Sequence, residues 1–502
     1  MTSIDILSDD VLLAIFDFCM DEYQYTKEEI EAWQSLVHVC RRWRNIVFGS
    51  PRRLNLRLVI KDKTSVRDML DVWPPLPLVI YGDPTGVDFS NIVSVLEHRD
   101  RVDEIRLWQV YGFALEKLLA VMQEPFPELT DLMLRSYDET VPVVPDSFLG
   151  GSAPRLRKLV LVGIPFPGLP NLLLSSAHLV GLYLENIPQT GYISPAAMVT
   201  TLSTLTNLES LSLQFQSPRS HPEPASRLLL PSTRSVLPVF TRFSFKGACE
   251  YLNDFVAHIV APRLDELFIT LFNDIVFDAP QFIQFISRTP TLKPLETGRI
   301  VFEDHAAKIN LSSQKSGYGS LEVRISCREF DWQVSSLEQV CTLCLPPLSA
   351  LEDLCIYQHT LSYPHWKDYI DNTLWVELLQ PFTAVKKLYL SKELAPRIVP
   401  ALQELVGGRT AEVLPALQNI LLEELQPSAR VQDDIRQFVS MRQAIGHSIV
   451  VSLWDRLPTT KSTARRKPAI ACLFCLQRKI ACSAPPVGST DMTCKYVVPL
   501  LF

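Results

Sequence analysis

The sequence predicts an α/β chain: a short all-helical start, then a solenoid of repeated strand–helix units, then a basic tail. Three observations carry this. An apolar triplet, spaced apolar-x-x-apolar-x-apolar, returns from Val102 to Leu453. Between its copies the apolar period changes from two to 3.6, as it does when strands alternate with helices. The first 58 residues carry only the helical period. Expected boundaries are 1–58 for the helical module, 59–456 for the solenoid and 457–502 for the tail.

The triplets fall at Val102/Ile105/Leu107, Leu129/Leu132/Leu134, Leu156/Leu159/Leu161, Leu179/Leu182/Leu184 and Leu208/Leu211/Leu213. They continue at Phe240/Phe243/Phe245, Leu264/Leu267/Ile269, Leu351/Leu354/Ile356, Val385/Leu388/Leu390 and Leu417/Ile420/Leu422. A weaker copy is Leu321/Val323/Ile325, and Ile449/Val451/Leu453 reads as a closing strand. A fixed period of this kind means stacked units, because one strand and one helix cannot bury their apolar faces alone. Helices are expected over "FALEKLLAVM", "AAMVTTLSTL", "YLNDFVAHIV", "PQFIQFISR" and "RIVPALQELVGG". The turn-forming stretches Ser217–Ser235 and Leu311–Gly319 read as loops extruded from the array. Residues 59–101, with "PLPLVIYG", read as the first units, joining the helical start to the solenoid without a hinge.

Composition bounds the function. The 502 residues are 47% hydrophobic and 21% charged, with formal charge −7, which gives no global reason to bind nucleic acid. "MTSIDILSDD" lacks a basic and an apolar signal region, and no apolar run reaches membrane-spanning length. The chain is therefore expected in the cytoplasm and/or nucleus, with no membrane partner and its eleven cysteines reduced. Cys341 and Cys344 lie in the apolar run "VCTLCLPPL" and read as core. Gly-rich phosphate loops, H-E-x-x-H, G-x-S-x-G and kinase motifs are absent, and the nine His are dispersed. Asp371 with Glu377, or Asp433 with Asp434, could be nominated as paired carboxylates, but solvated helix faces account for them. No enzyme activity and no catalytic residue are expected.

In the helical module Ser8 caps a helix whose Asp9 and Asp10 complement the helix dipole, and Val11, Leu12, Ile15 and Phe16 repeat at helical spacing. Trp33, Leu36, Val37, Cys40, Trp43, Ile46 and Val47 continue the pattern until Pro51 ends it. So short a segment cannot bury this much apolar surface alone, so part of it faces something else. At Leu7, Val11, Leu12 and Ile15, and again in "VCRRWR" from Val39 to Arg44, it resembles an F-box. The family's proline after the first leucine is Ser8 here, and Asp21–Glu31 lengthens the gap between the blocks. The resemblance implies that Leu7, Val11, Leu12, Ile15, Phe16, Val39 and Trp43 bind the adaptor of a cullin-RING ubiquitin ligase. The unit pattern is similar to leucine-rich repeats, and the near copies "APRLRKL" and "APRLDEL" resemble repeat starts in leucine-rich proteins of fungal F-box type. The expected repeats are long and irregular, without a continuous asparagine ladder.

Such a receptor would bind its still unknown protein substrate on the concave sheet face. The residues between the apolar strand positions point there: Arg106, Trp108, Arg135, Tyr183, Lys246, Phe268 and Tyr389, with Met133, Glu185 and Gln214. The tail follows another pattern. Cys472, Cys475, Cys482 and Cys494 are spaced C-x2-C-x6-C-x11-C, with Arg478 and Lys479 between the second and third. This resembles the front of the fungal binuclear zinc cluster, in which such basic residues contact DNA. Leu476 stands where that family has Arg, and the fifth and sixth cysteines are missing. The preferred reading is a mostly disordered basic tail with no cofactor; the alternative is a single tetrahedral zinc, for which four thiolates suffice, and DNA is not an expected partner. The alternatives to a ligase receptor are a zinc-cluster transcriptional regulator and a repeat scaffold without a ligase.

Overall fold

The computed structural model describes residues 6–21, 32–60, 66–83, 89–138, 140–217, 234–272, 279–293, 295–313, 319–345, 348–359, 371–404, 413–423 and 429–454. Three helices come first: α1 (Asp9–Asp21), α2 (Ala32–Val37) and α3 (Arg41–Gly49). Strands β1 (Leu58–Ile60), β2 (Leu78–Gly82), β3 (Val102–Leu107), β4 (Asp131–Arg135), β5 (Lys158–Val162), β6 (Gly181–Ile187) and β7 (Ser210–Phe215) then stack in parallel, in chain order. The small pair β8 (Ser235–Val236) and β10 (Ile259–Val260) lies apart from the main sheet, which continues with β9 (Arg242–Gly247) and β11 (Glu266–Phe272). After β12 (Thr297–Glu303), β13 (Ala306–Ser312) and β14 (Ser320–Ser326), it ends with β15 (Asp353–Gln358), β16 (Lys387–Leu390), β17 (Asn419–Leu422) and β18 (Val450–Leu453). The connecting helices are α4 (Val66–Val72), α5 (Phe89–Leu96), α6 (Gly112–Val121), α7 (Leu169–Leu173), α8 (Pro195–Leu202), α9 (Cys249–Ala257), α10 (Pro280–Arg288), α11 (Phe330–Gln339), α12 (Asn372–Leu379), α13 (Ala395–Glu404) and α14 (Ala429–Ala444).

Register explains why the triplets recur. The second member of each triplet pairs with its counterpart in the next unit, Ile105 with Leu132, then Leu159, Leu182, Leu211, Phe243 and Leu267, and Leu267 in turn pairs with Leu321, the first residue of the weaker copy. The row resumes from Leu354 through Leu388 to Ile420. All of these side chains are buried in one continuous core. The first member ends a turn that precedes the strand. Leu156 N–H donates to Ala153 O and Leu264 N–H to Ala261 O, so the "APRL" copies are one turn used twice. Leu129, Leu179, Leu208, Leu351 and Leu417 close equivalent turns.

No asparagine ladder is needed, because backbone carbonyls replace it. Thr130 O accepts N–H from both Arg157 (2.8 Å) and Lys158 (3.1 Å), and Arg157 O accepts from Val180 (2.7 Å) and Gly181 (3.0 Å). Val180, Glu209, Thr241, Glu296, Glu352 and Lys386 repeat the arrangement. These strands thus enter the sheet tied to the carbonyl just before the preceding one, and β4, β14 and β18 are each tied by a single N–H, from Thr130, Ser320 and Val450.

The array departs from the expected pattern in four places. Leu311 and Ser312 are not part of an extruded loop: they complete β13, and Leu311 is buried against its neighbours. Here β12, β13 and β14 form an antiparallel meander inside the otherwise parallel sheet, so that β14 pairs with β11 and β12 with β15. Within it Gly298 takes the place of the ladder leucine, and a Cβ there would meet methyls of Leu351 and Leu354 at 3.3 Å. In the second departure, the helix expected over "YLNDFVAHIV" stops at Ala257, and Ile259–Val260 pairs with Ser235–Val236. Most of the other expected loop, residues 218–233, lies outside the described residues. Third, β4 and β5 are joined without an α-helix, through a 3-10 turn at Phe148–Gly151. Fourth, β18 pairs in register with β17, yet its core-side residues Val451 and Leu453 are exposed.

Leu182 lies fully buried in mid-array, and Leu182→Ala should cost about 2–5 kcal/mol through lost transfer energy and a residual cavity. Gly163→Ala should also destabilise, since φ is +70° there and a Cβ would lie 2.3 Å from Ser136 O. Urea unfolding of both variants checks the pair.

Candidate functional site

The helical module is built from the residues that carry the F-box resemblance. Ser8 Oγ accepts the Val11 N–H (3.4 Å), capping α1. Cys40, in extended backbone, caps α3 by accepting the Trp43 N–H at its sulfur (3.4 Å). Arg42 ties the start of α1 to α3, donating through Nη2 to Leu7 O (2.6 Å) and through Nε and Nη2 to Asp9 Oδ1 (3.0 and 2.6 Å). Arg44 Nε donates to Val37 O (3.0 Å), closing α3 onto α2. The module is held to the repeats by aromatic packing: Trp33 lies 5.1 Å from Trp73 and 6.2 Å from Phe48, and its Nε1–H donates to Arg57 O just before β1.

This packing splits the seven expected adaptor-binding residues. Leu12 and Phe16 are fully buried, with Phe16 4.8 Å from the half-buried Trp43. Leu12 and Phe16 thus pack into the module's own core, and Trp43 packs against it with part of its surface left open. Leu7 is half-buried, its carbonyl taken by Arg42. Val11, Ile15 and Phe18 are 44%, 42% and 70% exposed, Ala14 is exposed beside them, and Val39 is exposed at the start of the "VCRRWR" block. Positions 11, 14, 15 and 18 share one helix stripe, so α1 is apolar on two sides and only one is used internally. Phe18 was absent from the sequence-based set, although its spacing from Val11 and Ile15 already placed it on that stripe.

The sheet-face residues are in place between the core positions, but they do not converge. Arg106 on β3 and Tyr389 on β16 lie near opposite ends of the sheet. Arg106 is also committed inside the molecule, donating to Asp131 Oδ2 (3.2 Å) and lying 2.9 Å from Glu104 Oε2, while Arg57 pairs with Asp103 and Glu104. It is therefore part of an ion network rather than a free contact. Trp108 packs on Tyr81 (4.4 Å), Tyr183 receives Lys158 over its ring (5.6 Å), Lys246 lies over Phe272 (5.8 Å), and Tyr389 packs on Trp454 (5.5 Å). Arg135, Phe268 and Met133 are half-buried, as are Glu185 and Gln214, the latter donating to Ser212 Oγ (3.0 Å). Sequence spacing identified the row but not these neighbour contacts.

Two of the four nominated carboxylates have local partners. Asp371 caps α12 through the Thr373 N–H (3.0 Å), and Asp433 pairs with Arg436 one turn on (2.6 Å). Cys341 is buried, and burial pushes the Cys327 thiol up. Among the described residues no group of three or more His, Cys, Asp or Glu could hold a metal ion, and no helix is long and apolar enough to cross a membrane. The candidate zinc ligands Cys472, Cys475, Cys482 and Cys494, and the candidate DNA contacts Arg478 and Lys479, lie outside the described residues.

No family model matches the chain, and no curated protein matches it. Among solved structures, it is similar to the leucine-rich repeat-containing protein LegL7 from Legionella pneumophila, with 11% identity and a TM-score of 0.29, covering 76% of this chain and 97% of that one.

Two phenylalanines on α1 should respond differently to truncation. Phe16→Ala should cost about 3–5 kcal/mol, because it empties the module's core, whereas Phe18→Ala on the exposed side should stay within about 0.5 kcal/mol. Thermal unfolding of both variants followed by circular dichroism checks the pair.

Proposed function

We propose that the chain is a substrate-recognition subunit of an SCF-type cullin-RING ubiquitin ligase. Its helical module docks on the ligase adaptor, its repeats hold the target protein, and catalysis rests with its partners. The observation that carries this reading is the second apolar side of α1. Val11, Ala14, Ile15 and Phe18 leave an apolar stripe in water, although the other side of the helix already supplies the module's core. An amphipathic helix laid into a groove is recognised through such i, i+3, i+4, i+7 anchors. Val39, exposed at the start of the "VCRRWR" block, would join it.

The test uses the exposed residues, because a change at Leu12 would unfold the module and leave lost binding ambiguous. The double variant Val11→Asp, Ile15→Asp should fold like the wild type and lose co-purification with the adaptor. Adaptor binding at wild-type strength by the folded double variant would sink the ligase reading and leave a repeat scaffold. On the same reading DNA is not a partner, and the tail takes at most one zinc. Two zinc ions per purified chain, or a DNA sequence preference that survives physiological salt, would instead favour a transcriptional regulator.

A further inference from the structure

The turns that follow several consecutive strands enclose a cleft of ≈ 820 Å³ beside the first turns of α6. Its walls include Phe113 and Glu116 of α6, Tyr137 and Asp138 after β4, Gly163 after β5 and Asn186 in β6. The repeat pattern placed Phe113 and Glu116 in a helix but did not mark them as a surface, and it marks no turn residues such as Tyr137, Asp138 and Gly163.

The walls are held by backbone. Ser136 N–H donates to Val162 O (2.9 Å), Gly163 N–H to Glu185 O (2.8 Å) and Gln216 N–H to Ile187 O (3.0 Å), linking successive turns. Asp138 Oδ2 accepts the Gly112 N–H (2.5 Å), fixing the turn after β4 to the start of α6. Gly163 at φ +70° and Asn186 at φ +51° place left-handed backbone on two of the walls. At Gly163 this lets the Ser136 carbonyl approach where a Cβ would otherwise stand. A cleft fixed in this way loses little conformational entropy when a ligand enters.

Its lining is mostly small and neutral-polar, with Phe113 and Tyr137 as its aromatic rings and Glu116 and Asp138 as its charged groups. Phe113 is 71% exposed and Tyr137 is 62% exposed, with Tyr111 and Val143 also exposed nearby in the chain. Glu116 and Asp138 are the charged residues among the described lining, and no Lys, Arg or His joins them. Lys117, outside the lining, places its ammonium 4.2 Å from the Phe113 ring centroid, so one face of this ring already holds a cation and the remaining ring surface is left for apolar contact.

We infer that this cleft binds a target segment in which Lys or Arg is flanked by apolar residues. The carboxylates of Glu116 and Asp138 supply the charge complement, and the faces of Phe113 and Tyr137 take the side-chain stem and its apolar neighbours. A nucleic-acid ligand is disfavoured by the same carboxylates, which would repel phosphates. The inference deepens the receptor reading by naming the class of segment that the repeats would hold.

The test is selection of a random-peptide phage library on the immobilised full chain. Retained clones should be enriched in Lys or Arg beside aromatic or aliphatic residues. Their affinity should fall about tenfold or more for Phe113→Ala and for Glu116→Lys, both exposed positions, with unchanged thermal unfolding. Enrichment of acidic peptides, recovery of no specific clones, or equal retention by the variants would overturn the inference. The double variant Val11→Asp, Ile15→Asp should keep the peptides. Lost adaptor binding in that variant with peptides kept supports both readings. Peptides that fail while adaptor binding behaves as proposed overturn the cleft alone, and an adaptor that fails to bind the wild type while peptides are held overturns the ligase reading alone.

Discussion

One carbonyl per unit sets the geometry of this solenoid. By accepting two N–H groups from the next unit, as Thr130 O does from Arg157 and Lys158, or one, as Asp103 O does from Thr130, it fixes where the next strand starts against its predecessor. A slip of one residue would turn every core side chain to the opposite face of the sheet. The leucine rows therefore follow from the backbone tie and the pleat together. Unit length is free to vary, because the helix and turn between two ties can lengthen without moving either strand. This is how recurrences of 23 residues (Leu159 to Leu182) and 32 residues (Leu211 to Phe243) fit one sheet.

Much of the fold was legible because burial leaves a period in the sequence. Leu132, Leu159, Leu182, Leu267 and Leu388 are all core residues of one array, and the helices over "FALEKLLAVM" and "PQFIQFISR" form where the period changes. The meander was not legible as such. Strands β12, β13 and β14 alternate like their neighbours, and alternation carries no information about direction. Leu311 looked like part of a loop because Ser312, Ser313 and Gly319 surround it with turn formers. What reveals it as a strand is its pairing with Gly298 and Leu321, which no local window contains.

The candidate surfaces were less legible, for a related reason. Periodicity tells which residues of a helix are apolar, not which of two apolar sides is already covered. Leu12 and Ile15 read alike in the sequence, and Trp43 decides between them by packing on Phe16 and closing one side of α1. On the sheet face Arg106 looked available until Glu104 and Asp131 were found beside it. Phe113 lies in the first turn of α6 with its side chain outside the helix's buried stripe, and Tyr137 stands in the turn after β4, where no repeating pattern marks it.

The two ends of the array differ in a way that bears on the proposed receptor. At β1 the sheet is closed by Leu54, Leu56 and the helical module, and the Trp33, Phe48 and Trp73 rings lock that module to α4. Terminal units of a solenoid need such a cover, since stacking supplies burial from only one side. The N-terminal helices thus pack on the first repeats while leaving Val11, Ile15 and Phe18 outward. A module that doubles as a cap cannot swing freely without exposing β1. On the ligase reading, the adaptor face and the target-binding turns would then move as one piece, and the offset between them would be set by the number of units separating them.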